Sequence, residues 1–392
     1  MIRTLLFSTL YPSSVRPSHG IFVETRLRHL LASGEVETRV VAPVPWFPLR
    51  HKLFGEYAKH AAVSRHEVRN GISIEHPRYL LLPRLGMNSA PASLARTGLA
   101  AARRLIASGY DFDLIDAHYF YPDGVAATII GKALNKPVVI TARGTDINLI
   151  PQYSKPRQMI LDAARDCAAM ITVCAALKDA IVGLGGAAEK ITVLRNGVDL
   201  ELFKPEDRQQ SRATFGMKGG FAIASVGHLI ERKGHHLVIE ALPQLPDAEL
   251  YIAGAGEEEP RLRALADNLS VAQRVHFLGA IPQARLRTLY NASDCLVLAS
   301  SREGWANVLL EAMACGTPVV ASNVWGTPEV VATAAAGVLM LERNANGIVE
   351  AIGRLRQALP DRGATRVYAE QFSWDATTAG QLALFRQVLG LT

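Results

Sequence analysis

REGWANVLLEAMACGTPVVAS, running from Arg302 to Ser322, decides how the chain must fold. Gly304 and Asn307 open a helix, Gly316 closes it, and Thr317-Pro318 leads straight into the apolar run PVVAS. A helix delivered into a wholly apolar strand is the repeating unit of α/β proteins with parallel sheets. The two acids, Glu303 and Glu311, add a constraint. On one continuous helix they would stand ~12 Å apart along the axis. Both can serve one ligand only if Glu303 lies in the loop before the helix. The first amides of the helix, from Gly304 and Ala306 through Val308 and Leu309, then face the same space, and unpaired N–H groups with the macrodipole favour an anion such as phosphate. The stretch predicts a site for a polyhydroxylated, phosphorylated ligand.

Working outward, β-branched runs alternate with helical patterns along the chain. IRTLLFS, ETRVVA, DLIDAH, PVVITA, MITVC and KITVLRN fill the first half; FAIASVG, AELYIAG, RVHFLG, DCLVLAS, PVVAS and AGVLML fill the second. The alternation predicts parallel strands with crossover helices, and the unbroken apolarity of DCLVLAS and PVVITA predicts strands covered on both faces. A chain of 392 residues exceeds what one core usually serves. The Pro-and-charge segment Pro205 to Gln210 marks the expected boundary, giving domains at 1–205 and 206–372. Two doubly wound domains facing across a cleft would gather ligands beyond the carboxyl ends of their strands.

Composition narrows the class. Apolar residues make up 49% of the chain, enough for two cores, and no tract is polar or repetitive enough for a disordered tail. Cys167, Cys174, Cys295 and Cys315 lack metal-ligand spacing and read as reduced thiols of a cytosolic protein. No apolar run approaches the ~20 residues of a membrane span, and LLFSTL is too short for a signal peptide. The net charge is +6, unevenly spread. Arg50, Lys52, Lys59, Arg65, Arg69, Arg78, Arg84, Arg96, Arg103 and Arg104 crowd the first third. Nucleic acid is one reading of such a face; a surface meeting anionic lipid or a phosphorylated acceptor is another, mildly favoured by the aromatic-basic stretch Val44 to Tyr57, and a plain solvated face weighs at least as much as either, so no nucleic-acid partner is expected.

Glu-x7-Glu followed by EAMACGTPVVAS resembles the retaining nucleotide-sugar glycosyltransferases of family 4, group 1, and the GIFVE segment after Gly20 resembles their polysaccharide-building, teichuronic-acid-type branch. The resemblance implies the GT-B fold, α/β with two Rossmann-like domains, and a last helix, 373–392, crossing back to the first domain. In FAIASVGHLIERKGHH it implies that Gly227 and Lys233 meet the donor diphosphate. Here the sequence departs from the family's Gly-Arg-x-x-x-x-Lys-Gly: His228 stands where the arginine is expected, and Arg232 lies beside the lysine, so either can supply that contact. Lys233 before a helix already points to an anion, because a cation at a helix N-terminus is unfavourable alone.

The same resemblance implies further roles. Glu311 would hold ribose hydroxyls and Glu303 donor-sugar hydroxyls. Gly20 would lie near the donor phosphates, Gly254 near the nucleotide, and Leu278, Gly279 and Ile281 where the base meets the backbone. His118, at a strand's carboxyl end, would contact the transferred sugar or the acceptor. Arg143, Thr145 and Asp146 of TARGTDIN would line the acceptor side. Asn196 of RNGVD would lie near the cleft, although an Asn-Gly turn is the plainer reading. Asp111-Phe112-Asp113 mimics a metal motif but precedes a strand instead of following one, so no essential metal and no cofactor are expected, the nucleotide sugar being a substrate.

The implied reaction passes a sugar from a UDP- or GDP-sugar to a hydroxyl of a saccharide or lipid-linked oligosaccharide, with retention by same-face attack and no carboxylate nucleophile. Its largest catalytic term would be stabilisation of charge on the departing diphosphate, with domain closure expelling water. A GT-B-shaped sugar-nucleotide epimerase and a non-catalytic carbohydrate-binding protein share the shape and remain the competing readings.

Overall fold

A computed structural model of the chain describes residues 1–17, 19–49, 51, 53, 55–81 and 86–391. Arg50, Lys52 and Arg84 of the basic first third lie outside the described residues. The chain forms two units, residues 1–195 with 375–392, and residues 196–374.

The first unit contributes strands β1 (Ile2–Phe7), β2 (Val36–Val41), β3 (Val44–Pro45), β4 (His66–Arg69), β5 (Ile72–Glu75), β6 (Arg78–Tyr79), β7 (Leu114–His118), β8 (Val138–Ala142), β9 (Ala169–Thr172) and β10 (Ile191–Val193). Its eight-stranded sheet runs β10-β9-β8-β7-β1-β2-β5-β4. All neighbours are parallel except β4 and β5, which form an antiparallel hairpin. Every residue of β8 is buried, as its unbroken apolarity requires. The strand order reverses between β1 and β7, so the space beyond Phe7 and His118 is the natural ligand crevice of this unit.

The second unit holds β11 (Phe221–Val226), β12 (Ala248–Ala253), β13 (Val275–Gly279), β14 (Cys295–Leu298), β15 (Val319–Ser322) and β16 (Gly337–Met340). They pair throughout in parallel, in the order β13-β12-β11-β14-β15-β16. This is the 3-2-1-4-5-6 winding of a Rossmann sheet, with its switch point between β11 and β14. The core is apolar, built from Ile223, Leu250, Ile252, Val297 and Val320 with Val238, Ile239, Ile348 and Ile352 of the flanking helices. All twelve expected strands are present. The expectation missed β3 to β6, which are too short to show a period, although the Asn70-Gly71 pair between β4 and β5, both at positive φ, is a hairpin signal.

The division falls at Arg195, ahead of the expected Pro205, because residues 196–205 are tied into the second unit. Val198 N–H donates to the Phe372 carbonyl at 2.9 Å. Arg366 reaches the Phe203 and Ala314 carbonyls at 2.8 and 2.9 Å, and the Phe203 ring lies 6.0 Å from that of Tyr290. Gly197 has no room for a Cβ, which would stand 2.5 Å from the Trp374 nitrogen, so it serves close packing. From Asp375 the last helix, Trp374–Leu389, joins the first unit. There Leu382, Leu384 and Phe385 pack with Ile2, Leu30, Val36 and Leu114.

Candidate functional site

Two loops meet at the switch point of the second unit, one after β11 and one after β14. The first turns at Gly227, passes through a short 3-10 turn at Glu231–Lys233, and enters helix His235–Ala241 at Gly234. Gly234 sits at φ 74°, and a Cβ there would lie 2.1 Å from the Ala299 carbonyl oxygen. Gly254 is held as closely, with a Cβ placed 1.8 Å from the Gly227 oxygen. Glycine is therefore required at both positions by backbone approach as well as by dihedral angle. Backbone bonds lock the loops together: Ser301 N–H to the Arg232 carbonyl at 2.8 Å, and Gly227 N–H to that of Ala253 at 3.0 Å.

This framework brings Lys233 and Glu303 into contact. Lys233 Nζ donates to Glu303 Oε1 at 2.6 Å, with its aliphatic chain lying along Gly227. Arg232 stands 3.6 Å from the same oxygen and donates to the Arg302 carbonyl at 2.7 Å. Burial pushes the Glu303 carboxyl upward, but Lys233 and Arg232 overcome it and hold the group below its ordinary range. The anion that Lys233 was expected to require is thus supplied by the protein itself. Two cations against one carboxylate leave one positive charge in excess. Of the two candidates for the missing arginine, Arg232 joins this cluster, whereas His228 is exposed on the loop.

Glu303 lies in the loop and helix Asn307–Ala314 follows it, as service to one ligand demands. One expected amide is unavailable: Leu309 N–H bonds the Ala306 carbonyl at 3.0 Å and its side chain is wholly buried, so the outward amides at this end are those nearer Gly304, Asn307 and Val308. Tyr290, fully buried, donates its hydroxyl to Glu311 Oε2 at 2.9 Å. The surrounding protein raises the Glu311 carboxyl to about 7, against the opposing pull of that bond. At β13, Ile252 and Ala253 pair with Phe277 and Gly279, leaving Leu278 as an extra residue at the sheet's carboxyl edge, with Ile281 just beyond it. The Gly279 carbonyl already accepts Gly254 N–H at 2.8 Å.

Asn196 falls in this second unit, donating to Asn307 Oδ1 at 3.3 Å. It is 4% exposed, held by the chain's tie to Phe372.

In the first unit, Gly20 begins helix Ile21–Ala32 at φ 68°, where a Cβ would lie 2.3 Å from the Leu10 oxygen. His118 ends β7 but is only 1% exposed, and both ring nitrogens are engaged. Nε2 lies 3.1 Å from Asp116 Oδ2, so it carries the proton, and Nδ1 accepts from Arg143. Burial, with Arg143 and Arg26 opposing the pull of Asp116, lowers the imidazole to about 4 and keeps it neutral. Gln381 of the last helix continues the chain, donating to Asp116 Oδ2 at 3.0 Å and accepting from Arg26 Nε at 2.7 Å. His118 in this arrangement orients Arg143 and presents neither ring nitrogen to a ligand.

Asp146 is likewise enclosed. Its oxygens take N–H groups of Phe120 at 2.6 Å, Gly144 at 2.7 Å and Arg143 at 3.1 Å, so both are spent on shaping the loop. Arg143, 9% exposed, lies with its guanidinium 5.3 Å from the Phe22 ring. Tyr290, Asp116, Arg26 and Gln381 were invisible to motif reading, because nothing local marks a side chain whose partner is 21 or 265 residues away.

All four cysteines are buried free thiols. Among the described residues, no three His, Cys, Asp or Glu side chains group as a metal site would, and no helix is long and apolar enough to cross a membrane.

Two Rossmann-like units, the second with an ion-paired crevice at its switch point, define a protein of GT-B architecture. Residues 207–371 match the family Glycosyl transferases group 1, and residues 23–202 match Glycosyltransferase Family 4. The chain belongs to the group 1, family 4 glycosyltransferases. It is 37% identical over 213 residues, 51% of its length, to D-inositol 3-phosphate glycosyltransferase of Mycobacterium leprae, and the match spans about half (50%) of that relative. It is 28% identical over 361 residues, 90% of this chain and 89% of the other, to the putative teichuronic acid biosynthesis glycosyltransferase TuaC of Bacillus subtilis. Among solved structures, Anabaena HepE in complex with UDP superimposes with a TM-score of 0.74 at 22% identity, covering 99% of this chain and 100% of that one.

Proposed function

We propose that the chain transfers a sugar, with retention and without a metal, from a nucleoside-diphosphate sugar to a hydroxyl of a saccharide or lipid-linked acceptor. The observation that carries this reading is the Lys233–Glu303 pair at the β11/β14 switch point, with Arg232 beside it. In the transition state, charge grows on the leaving diphosphate. One excess positive charge, together with the outward amides at Asn307 and Val308, is set to receive it without reorganisation. Lys233 then shares its protons between Glu303 and a phosphate oxygen, and the Glu303 oxygen not paired with Lys233 can accept from donor-sugar hydroxyls.

Glu311, steadied by Tyr290, is suited to accept both ribose hydroxyls once ionised. The backbone freed at Leu278 offers contacts for the base. The UDP complex of HepE, which shares this fold, supports a uridine nucleotide as donor. In the first unit, neutral His118 fixes the Arg143 guanidinium, which serves the acceptor side. Exposed Trp46, Leu49, Leu53 and Tyr57, close in sequence to Lys59 and Arg65, favour peripheral contact with an anionic membrane, testable by co-sedimentation with vesicles of phosphatidylglycerol.

The deciding experiment is a thermal-shift series with UDP, GDP and their sugars, since a ligand selective for the native state raises Tm. A shift lost in Lys233→Ala and Glu311→Ala supports the reading; unchanged shifts in both variants overturn it. Retention is read from the anomeric configuration of the product by NMR, and metal independence from turnover after EDTA treatment.

A further inference from the structure

The two acids that flank helix Asn307–Ala314 are held by opposite means. Glu303 rests against two cations, Lys233 and Arg232. Glu311 has a phenol instead. Tyr290 Oη donates to Glu311 Oε2 at 2.9 Å, and among the described residues no cation acts on this carboxyl: burial raises it to about 7, and the Tyr290 bond pulls the other way. The Cys315 thiol, one turn further along the same helix, is itself raised to about 12 and stays neutral.

The bond is built into the fold from behind. The Tyr290 ring is fully buried, 6.0 Å from that of Phe203. Thr317 Oγ1 donates to the Tyr290 carbonyl at 2.6 Å. Arg362 donates to that same Oγ1 at 2.8 Å and to the carbonyls of Ser293, Cys315 and Asn291 at 3.1, 3.2 and 3.3 Å. The carboxyl ends of the two helices that carry Tyr290 and Glu311 are thereby clamped together, and the phenol meets the carboxyl in one geometry.

The other side of the helix is open. Leu309, Leu310, Ala312 and Met313 are buried, whereas Asn307, Val308 and Glu311 keep part of their surface free. Spaced i, i+1 and i+4, these three share a face. Glu311 stands about 6 Å along the axis from the outward amide at Asn307, a reach comparable with that from a diphosphate across the 5′ carbon to the ring hydroxyls of a ribose. A carboxylate has about four lone-pair positions. The phenol takes one of them on Oε2 and, being neutral, leaves the charge uncompensated; two vicinal hydroxyls need two more, one on each oxygen. An acid kept without a counter-charge at this depth is costly to the fold, and such arrangements gather where a ligand uses them.

We propose that Tyr290 is the positioning residue for ribose recognition: its hydroxyl fixes Glu311 so that both carboxylate oxygens meet a vicinal diol, and the site thereby selects a ribonucleoside diphosphate over its 2′-deoxy counterpart. The assignment rests on the glycosyl-transfer reading above and adds to it a residue that acts through Glu311.

Binding of UDP, dUDP, GDP and dGDP to the full-length protein is measured by calorimetry on both sides of about pH 7. The wild-type protein should prefer a ribonucleotide about tenfold, the worth of one hydrogen bond to a charged acceptor. Paired nucleotides carry the same diphosphate, so its own titration cancels in their ratio, and the preference should grow as pH rises through about 7 and Glu311 ionises. Tyr290→Phe keeps the ring and removes the hydroxyl. Its preference should shrink to about twofold at neutral pH, and the midpoint of the rise should move to higher pH, because the lost bond favoured the ionised form. Glu311→Gln should reduce the preference as far at every pH, and adding Tyr290→Phe to it should leave ribonucleotide affinity where Glu311→Gln set it, since the phenol acts through the carboxylate alone. A loss in Tyr290→Phe shared equally by ribo- and deoxynucleotides with the midpoint unmoved, or a further loss of ribonucleotide affinity in the double variant, would reduce Tyr290 to a packing residue and overturn the proposal. Should Tyr290→Phe alone fail to fold, the comparison of the double variant with Glu311→Gln carries the test, because neither contains a buried carboxylate stripped of its partner. Ribonucleotide binding without a 2′-hydroxyl preference in the wild-type protein overturns this assignment alone; silence toward both UDP and GDP overturns the glycosyl-transfer reading beneath it.

Discussion

Lys233→Ala separates the structural from the catalytic share of the ion pair at the crevice. The bond removed is 2.6 Å long between side chains 14% and 9% exposed. Breaking a pair of this kind by deleting one partner typically costs about 3–5 kcal/mol, because the remaining charge stays buried. Here Arg232, 3.6 Å from the same oxygen, keeps part of the compensation, so a loss of about 2 kcal/mol in urea denaturation is expected. Turnover should fall further. Deleting a donor aimed at developing charge costs about 10²–10³ in kcat, and UDP release in the presence of acceptor measures it. The double variant Lys233→Ala/Glu303→Ala distinguishes the two effects. With the Lys233 and Glu303 charges both gone and only part-exposed Arg232 losing its carboxylate while keeping the Arg302 carbonyl, stability should recover to within about 1 kcal/mol of the original, while turnover stays depressed. Recovery of turnover together with stability, or near-normal turnover in Lys233→Ala alone, would refute the assignment and reduce the pair to a fastener between two loops.

Glu311 makes a prediction in pH. Its folded pKa, about 7, lies above the ordinary 4.5, so the folded state holds a proton that the unfolded chain has already released. This contribution to stability is complete below about 4.5 and is lost as pH rises to 7. Glu311→Gln should flatten the fall in Tm across that window; an identical pH profile in the variant would show that the carboxyl titrates normally. Gly234→Ala, with φ 74° and a Cβ 2.1 Å from the Ala299 oxygen, should cost at least about 2 kcal/mol and weaken UDP binding, and wild-type values in both measurements would mean the loops are not packed as described. Gln381→Leu strips a hydrogen bond from Asp116 and another from Arg26, so urea denaturation should show a loss of about 2–3 kcal/mol. The His118 imidazole signals should also move in NMR, and unmoved signals would sever the last helix from the β7 site.

Local pattern carried far in this chain. PVVITA and DCLVLAS announced strands buried on both faces, and Gly304, Gly316 and Thr317-Pro318 framed a helix that the structure places at 307–314. The placement of Glu303 in a loop followed from the rise of a helix alone. Motif reading fell short where a side chain's partner is remote. His118 looked like a contact residue because it ends a strand, yet Asp116 and Arg143 occupy both its nitrogens. Asp146 looked like a lining residue, yet three backbone N–H groups consume it. Leu309 looked like an amide donor until the first turn closed on Ala306.

The sequence by itself determined the α/β class, the order of the major strands and the family, because period, glycine position and motif spacing are properties of neighbouring residues. Only the tertiary structure decided which charges meet. Whether Lys233 waits for a phosphate or rests on Glu303, 70 residues on, depends on two loops packed so closely that a Cβ at Gly234 would lie 2.1 Å from the Ala299 oxygen. That the chain changes units at Arg195, and that Gln381 returns to Asp116 across 265 residues, depends on which buried polar groups found partners during packing. Polar satisfaction inside a core is a global condition, and no window of sequence contains it.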